Sequence, residues 1–362
     1  MKLEIPEGVV CVSDSVLSGI DRSQVDEIIF ASTVRDVEPF VFKNLLNLKS
    51  IAMNDGLENV GTCAFRGCTA LKSIELPGSV VNIAGGAFRD CSGLSSISFR
   101  SGGLARMTIA DNAFAAVGDE ASIRRACRSE NELRNANRLR KVFADVSQTE
   151  YFVSYHRSYR DAVSRYRIGA NWADEELLTE LFYSRKNPVS NLMQGGMSQG
   201  VWASFERRIA VGICEVLSKA AGAGVSEVVK SCRRQFDEEV LRCGDNEQHR
   251  VLFNRVVVSL LPGRDLVQVI DCGKLRAAVG LLSANGYIPT YEITSVEDDW
   301  YSLSHLMFNA LNSTVPGKSP YEIGVFGWCI ADILRQDGGH VDEATRQMRS
   351  VMRTSLQAVG LI

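Results

Sequence analysis

Gly196-Met-Ser198-Gln-Gly200 is a segment whose residue types and spacing match a nucleophile motif. In the G-x-S-x-G elbow a strand runs into a sharp turn, and the serine hydroxyl is held at its strained apex for a histidine to deprotonate. His249, His305 and His340 follow in the order such a triad needs. The elbow also needs a good strand before it. Asn187-Pro-Val-Ser-Asn-Leu-Met-Gln lacks alternation and carries Pro188, which removes a ladder donor. The local sequence therefore reads as a glycine-rich loop between helices, and Ser198 stands as the catalytic candidate of a weaker alternative, a serine hydrolase.

The other reactive residues form no constellation. Ten cysteines include no C-x-x-C pair, so no metal is expected and most thiols read as small buried hydrophobes. Asp298-Asp299 with His305 lacks further ligands and suits a helix start. Ala220-Ala-Gly-Ala-Gly224 has neither a preceding strand nor a following Gly-Lys-Ser, so it reads as a joint rather than a phosphate loop. No cofactor is expected. The cations are more suggestive. Arg124, Arg125, Arg128, Arg134, Arg138, Arg140 and Lys141 cluster within 121–141 against two acidic residues. Tyr155, Arg157, Tyr159, Arg160, Arg165, Tyr166 and Arg167 then interleave aromatics with charge. Arginine with stacking aromatics can hold phosphates and bases, so Arg124, Arg125, Arg128, Arg138 and Arg140 are anion-binding candidates. Packing against acidic surface, or closure of a neighbouring element, accounts for the same pattern, and nucleic acid is the less favoured partner.

These residues must be positioned by a chain of 362 residues, 45% hydrophobic and 23% charged, with formal net charge −3. That composition excludes collagenous and disordered classes, and the length implies two or three folding units. No stretch of about 20 apolar residues occurs to span a membrane. The opening Met1-Lys-Leu-Glu-Ile-Pro6 has no signal-peptide core, which predicts a cytoplasmic protein or one exported without a cleaved signal peptide. The charge is uneven: residues 101–170 carry 12 basic and 8 acidic residues, between two acidic ends.

The strongest pattern is a repeat of 23 residues. Val25, Leu48, Leu71 and Leu94 begin the units; Ile28, Ile51, Ile74 and Ile97 follow, then Phe30, Met53, Leu76 and Phe99. Four further columns hold Val34, Leu57 and Val80; Val37, Val60 and Ile83; Phe42, Phe65 and Phe88; Leu45, Cys68 and Cys91. All 24 positions are apolar, far above the 45% background. No 23-residue unit can bury its own apolar face, whereas stacked copies form inward ladders of like residues. The phase slips by two residues before Val25, and by three at Ile109 and Phe114, as terminal capping units would.

The unit from Leu71 to Cys91, with Ile74, Leu76, Pro77, Ser79, Val80, Ile83, Ala87 and Phe88 between, resembles the BspA-like leucine-rich repeats. The resemblance covers about residues 3–115 and implies a solenoid used for recognition. Alternation places Glu27, Ile29, Ser50, Ala52, Ser73, Glu75, Ser96 and Ser98 outward, as candidate partner-binding positions. They include none of the Trp, Tyr or Arg anchors that dominate interfaces.

Beyond the repeat, helical spacing prevails. Phe205, Ile209, Ile213, Val216 and Leu217 form one stripe; Val225, Val228, Val229, Cys232, Phe236 and Val240 form another. Asn171–Asp174 and the capping box Ser319-Pro-Tyr-Glu322 mark helix starts. Asn285-Gly286 followed by alternation over Tyr287–Ser295 predicts a turn and a strand. The expected fold is α+β and multidomain: a short leucine-rich-repeat β-solenoid at 1–117, a basic helical connector at 118–168, and a mostly helical domain at 169–362. The expected function is non-enzymatic recognition of another protein. An effector or immunity-type protein with an activity in the helical domain is the alternative.

Overall fold

A computed structural model describes residues 1–100, 103–105, 107–167, 170–183, 199–221, 224–244, 249–261, 266–267, 271–295, 299–334 and 341–362. They divide into two compact units, Met1–Arg138 and Leu139–Ile362. The fold is a parallel β-solenoid followed by a mostly helical region.

Each turn of the first unit supplies a longer and a shorter strand. In chain order these are β1 (Lys2–Glu4), β2 (Cys11–Val12), β3 (Glu27–Ile29), β4 (Asp36–Val37), β5 (Ser50–Ala52), β6 (Asn59–Val60), β7 (Ser73–Leu76), β8 (Asn82–Ile83), β9 (Ser96–Phe99) and β10 (Thr108–Ile109). Longer strands pair in parallel as β1–β3–β5 and β7–β9; the shorter ones form one sheet, β2–β4–β6–β8–β10. Glu27 stands opposite Ser50, and Asn59 opposite Asn82, a step of 23 residues. Lys2 stands opposite Glu27, and Asn82 opposite Thr108. The slips of two and three residues read from the sequence are therefore absorbed in loops while the ladder registers hold. The first lies between β2 and β3, where short 3-10 turns occupy Asp14–Leu17 and Arg22–Gln24.

Of the 24 column residues, 22 are buried; Ile97 and Phe99, on β9 at the end of its sheet, are half-buried. The phenylalanine column is a stack: Phe42–Phe65, Phe65–Phe88 and Phe88–Phe114 have centroids 5.2, 5.3 and 5.3 Å apart, with planes within 18°. Each such pair contributes about 0.5–1.5 kcal/mol beyond its buried area. Two further columns turn the backbone into the left-handed region. Phe40, Cys63 and Gly86 share φ of 64°, 55° and 67°, and Asn44, Gly67, Asp90 and Ala116 share 59°, 76°, 61° and 57°. Glycine meets that demand without strain at Gly67 and Gly86; the side-chain-bearing members pay for it in steric strain.

Helix α1 (Glu120–Val146) contributes its residues up to Arg138 to this unit. There Ile123 and Cys127 join the solenoid core. The Asn131 amide accepts from Met107 N at 2.9 Å and donates to Met107 O at 3.0 Å. Buried Arg134 donates to Val80 O at 2.6 Å and pairs with Glu130 at 2.7 Å. Backbone groups that another repeat would satisfy are met here by side chains, as the closing of a solenoid end requires.

The second unit holds the rest of α1, then α2 (Glu150–Arg167), α3 (Glu175–Leu178), α4 (Gln199–Ser204), α5 (Arg207–Lys219), α6 (Val225–Arg242), α7 (His249–Leu260), α8 (Cys272–Ala284), α9 (Thr290–Ser295), α10 (Trp300–Thr314), α11 (Pro320–Leu334) and α12 (Glu343–Ala358). Helix α11 is apolar nearly all round and packs against α2, α8, α10 and α12. Its predicted capping box is formed: Ser319 N donates to Glu322 Oε2 at 2.9 Å, and Glu322 N to Ser319 Oγ at 3.3 Å. Asp174 caps α3. At the core of this unit Phe143 meets Phe152 and Phe326 edge-on, at 5.7 and 5.1 Å.

Two expectations are corrected. The strand predicted over Tyr287–Ser295 is helical, as α9 covers Thr290–Ser295. Asn285-Gly286 forms the predicted turn, and it ends α8: Gly286 has φ 77°, and Tyr287 N returns to Leu282 O at 2.9 Å, a helix C-terminal motif. Val216 is 49% exposed, because the buried stripe of α5 runs through Ala210, Ile213, Cys214 and Leu217 and leaves Val216 at its margin.

Candidate functional site

The parallel register sets the eight outward positions in two rows, Glu27–Ser50–Ser73–Ser96 and Ile29–Ala52–Glu75–Ser98. Six of them are exposed; Glu27 and Ile29 are half-buried. Strand alternation is the cause, since the intervening Ile28, Ile51 and Ile74 fill the core. The surface is small and polar, with Glu27 and Glu75 the two charges among these eight positions.

Where the longer strands end, the chain turns toward the shorter ladder and leaves a groove of about 700 Å³. It is lined by Phe30, Ser32, Arg35, Asn54, Asp55, Gly56, Glu58, Ser79 and Arg100. Arg100 follows β9 and reaches back across two turns. Its guanidinium pairs with Asp55 and with the carbonyl of Met53, and its Nε lies 3.3 Å from Glu75 Oε2. Asn54 donates through Nδ2 to Ser32 O and Val34 O, both at 2.9 Å. Asn54 Oδ1 and Arg100 Nε are buried with no hydrogen-bond partner. Arg35 lies over Gly56: a Cβ on residue 56 would stand 1.4 Å from Arg35 Nη1. Neither arginine belongs to the outward rows of the strands. The signal that could have found them is the repeat itself, because Arg35 and Glu58 occupy one column, and Arg100 shares another with Asn54 and Pro77.

The five anion-binding candidates stand in different surroundings. Arg125 and Arg128 are exposed. Arg124 pairs with Glu120 at 2.7 Å and donates to Asp111 O. Arg138 is 4% exposed, with Nη1 3.4 Å from Asn135 Oδ1. In the second unit, Arg140 Nε donates to Thr314 O at 2.9 Å. Of the three interleaved tyrosines, Tyr155 is half-buried, while Tyr159 and Tyr166 are committed to that unit's core: both are buried, and the Tyr166 hydroxyl donates to Glu180 at 2.8 Å. A base could not stack on either ring as placed.

Ser198 and His340, and the side chain of His249, lie outside the described residues. His305 stacks on Tyr301, its Nε2 3.1 Å from Asn309 Nδ2. Among the described residues no group of three or more His, Cys, Asp or Glu is arranged to hold a metal ion. All ten thiols are unbridged. Cys68 and Cys91 are buried in the solenoid, their Sγ atoms 3.3 and 3.1 Å from the Phe42 and Phe65 carbonyls. A hydrogen bond with Cys91, together with burial, holds the Cys68 thiol far above its ordinary value, which keeps it inert. The helical unit buries a charge cluster instead. Asp332, 1% exposed, accepts from Arg349 Nε and Nη2 at 2.6 and 3.0 Å and lies 3.4 Å from Lys274 Nζ.

Residues 3–124 match the family described as BspA type leucine rich repeat region, in 6 copies. No curated protein matches the chain. Among solved structures it is similar to a leucine rich cell surface protein from Faecalibacterium prausnitzii A2-165. The identity is 20%, over 32% of this chain and 35% of that chain, with a TM-score of 0.24. The chain thus spans about a third of that protein's length. Among the described residues no helix is long and apolar enough to cross a membrane.

Proposed function

We propose that this leucine-rich repeat protein is a non-enzymatic recognition protein, whose solenoid binds another protein through its outward strand face and the groove beside it. The observation that supports this reading is the parallel stacking of the longer strands, β1–β3–β5 and β7–β9. It lines up eight outward positions, six of them exposed, in two rows and sets two arginines next to them. A rigid scaffold presenting a long row of side chains suits recognition of extended protein surface. The modules proposed are the solenoid at 1–117, the basic connector at 118–168 and the helical domain at 169–362. Within the connector, Arg124, Arg125, Arg128 and Arg140 are the exposed members of the anion-binding set, and retention on heparin lost when Arg125 and Arg128 are both changed to glutamine would support that role.

A photo-crosslinking amino acid at Ser73 or Ser96 is expected to capture a discrete protein in cells. The same label at Leu46, exposed on another part of the solenoid, should not. Equal capture at all three positions, or capture at none, overturns the reading.

A further inference from the structure

We propose that the groove beside the strand ladder takes a carboxylate side chain of an extended, mixed-charge protein segment, with Arg35 as the ion-pairing group. This deepens the recognition reading and rests on it.

The two guanidinium groups of the groove are in different states. That of Arg100 is committed to Asp55 and to the Met53 carbonyl. The Arg35 side chain makes no hydrogen bond or ion pair among the described residues, yet it has a defined seat. Its Nη1 and Cζ lie 1.4 and 2.6 Å from where a Cβ on residue 56 would stand. The equivalent positions one repeat away on either side are Thr33 and Ser79; only the bare face of Gly56 leaves room for the guanidinium. Arg35 is exposed, and a planar fork of donors presented at the groove is complementary to a carboxylate, which it can bind in two parallel hydrogen bonds.

The surrounding charges narrow the ligand. Asp55 is 82% exposed and Glu58 is exposed, so the lining holds two cations and two anions. A single carboxylate replaces the acceptor that Arg35 lacks. A dianionic phosphate or a run of acidic residues would meet Asp55 and Glu58 as like charges, whereas a lysine or arginine beside the carboxylate would find them as partners. The Ser79 hydroxyl, in the groove lining, donates to Leu57 O at 2.6 Å, so its remaining capacity is to accept, as from a peptide N–H.

The test begins with a random linear peptide library displayed on phage and selected on the full chain. Selected peptides are expected to carry Asp or Glu at one position with a basic residue nearby. A synthetic peptide from the selection should bind about tenfold or more weakly to Arg35→Gln, as loss of an arginine anchor does. The discriminating variant is Gly56→Ala. Its backbone is not in the left-handed region, the main obstacle is the far end of a flexible side chain, and Asn54 Nδ2 at 3.0 Å needs to give only a few tenths of an ångström, so the fold tolerates it while Arg35 is displaced with its charge intact. It should weaken the peptide comparably. Unchanged binding to Gly56→Ala, no acidic position in the selection, no peptide enriched, or tighter binding when phosphoserine replaces the acidic residue would each overturn the assignment. Peptides lost on Ser73→Arg but indifferent to Arg35→Gln would overturn it and leave the broader recognition reading standing.

Discussion

Replacing Phe65 by leucine removes the middle ring of the phenylalanine stack and keeps an apolar group in its place. Phe65 has two stacked neighbours, Phe42 at 5.2 Å and Phe88 at 5.3 Å, whereas Phe114 ends the row with Phe88 alone. Leucine restores most of the buried area at a repacking cost of about 1 kcal/mol. Each lost stacked pair adds about 0.5–1.5 kcal/mol. Phe65→Leu should therefore destabilise the solenoid by about 2–4 kcal/mol, and Phe114→Leu by about 1 kcal/mol less. Intrinsic tryptophan and tyrosine emission cannot follow this change, because all four tryptophans and all nine tyrosines lie beyond residue 150. The buried thiols of Cys68 and Cys91 can. Pulsed alkylation with peptide-resolved mass spectrometry reads their opening equilibrium, and about 1 kcal/mol between the variants is about a fivefold difference in labelling. Equal labelling in the two variants, or faster labelling in Phe114→Leu, would refute the stacking argument. So would wild-type thiols that react as fast as free cysteine.

Ala116 stands in a column that requires left-handed backbone, at φ 57°. Ala116→Gly should relieve that strain and, net of glycine's greater unfolded entropy, stabilise the solenoid by about 0.5–1 kcal/mol in the same thiol assay. Asp332→Asn leaves buried Lys274 and half-buried Arg349 without their carboxylate. A loss of about 3–5 kcal/mol is expected in urea unfolding followed by tryptophan emission, and a loss below 1 kcal/mol would show the cluster to be dispensable. Burial against Phe152 and Tyr321, and nearby Arg160, holds the His156 imidazole below its ordinary value, with Glu322 and Asp161 opposing. The unfolded chain therefore takes up a proton first: stability should be intact above about pH 6.5 and decline as pH falls through that value. His156→Leu should flatten this part of the profile in thermal melts taken from pH 7.5 to 5.5.

The repeat made much of the first unit legible. Apolar columns every 23 residues can be buried only by stacking, so the core, the alternation and the slips at both ends could be read from residue types. The left-handed columns were harder to see, because Phe40, Cys63 and Ala116 are not residues that advertise positive φ. In the helical unit, capping chemistry at Ser319 and Glu322 was readable since it acts over four residues. Asn285-Gly286 was readable as a turn because the pair favours left-handed backbone, whereas the alternation over Tyr287–Ser295 misled, since α9 is helical there.

The sequence by itself determined that the chain begins as a solenoid, which residues fill it and which strand positions face out, because strand alternation and repeat stacking are local rules applied many times. Only the tertiary structure decided what lies beside that face. Arg35 is seated on a glycine 21 residues away, and Arg100 reaches Asp55 and the Met53 carbonyl across two turns. It likewise decided that Tyr159 and Tyr166 point into a core rather than toward a ligand. Long side chains meet whatever the fold brings within their reach, and no periodicity along the chain encodes that meeting.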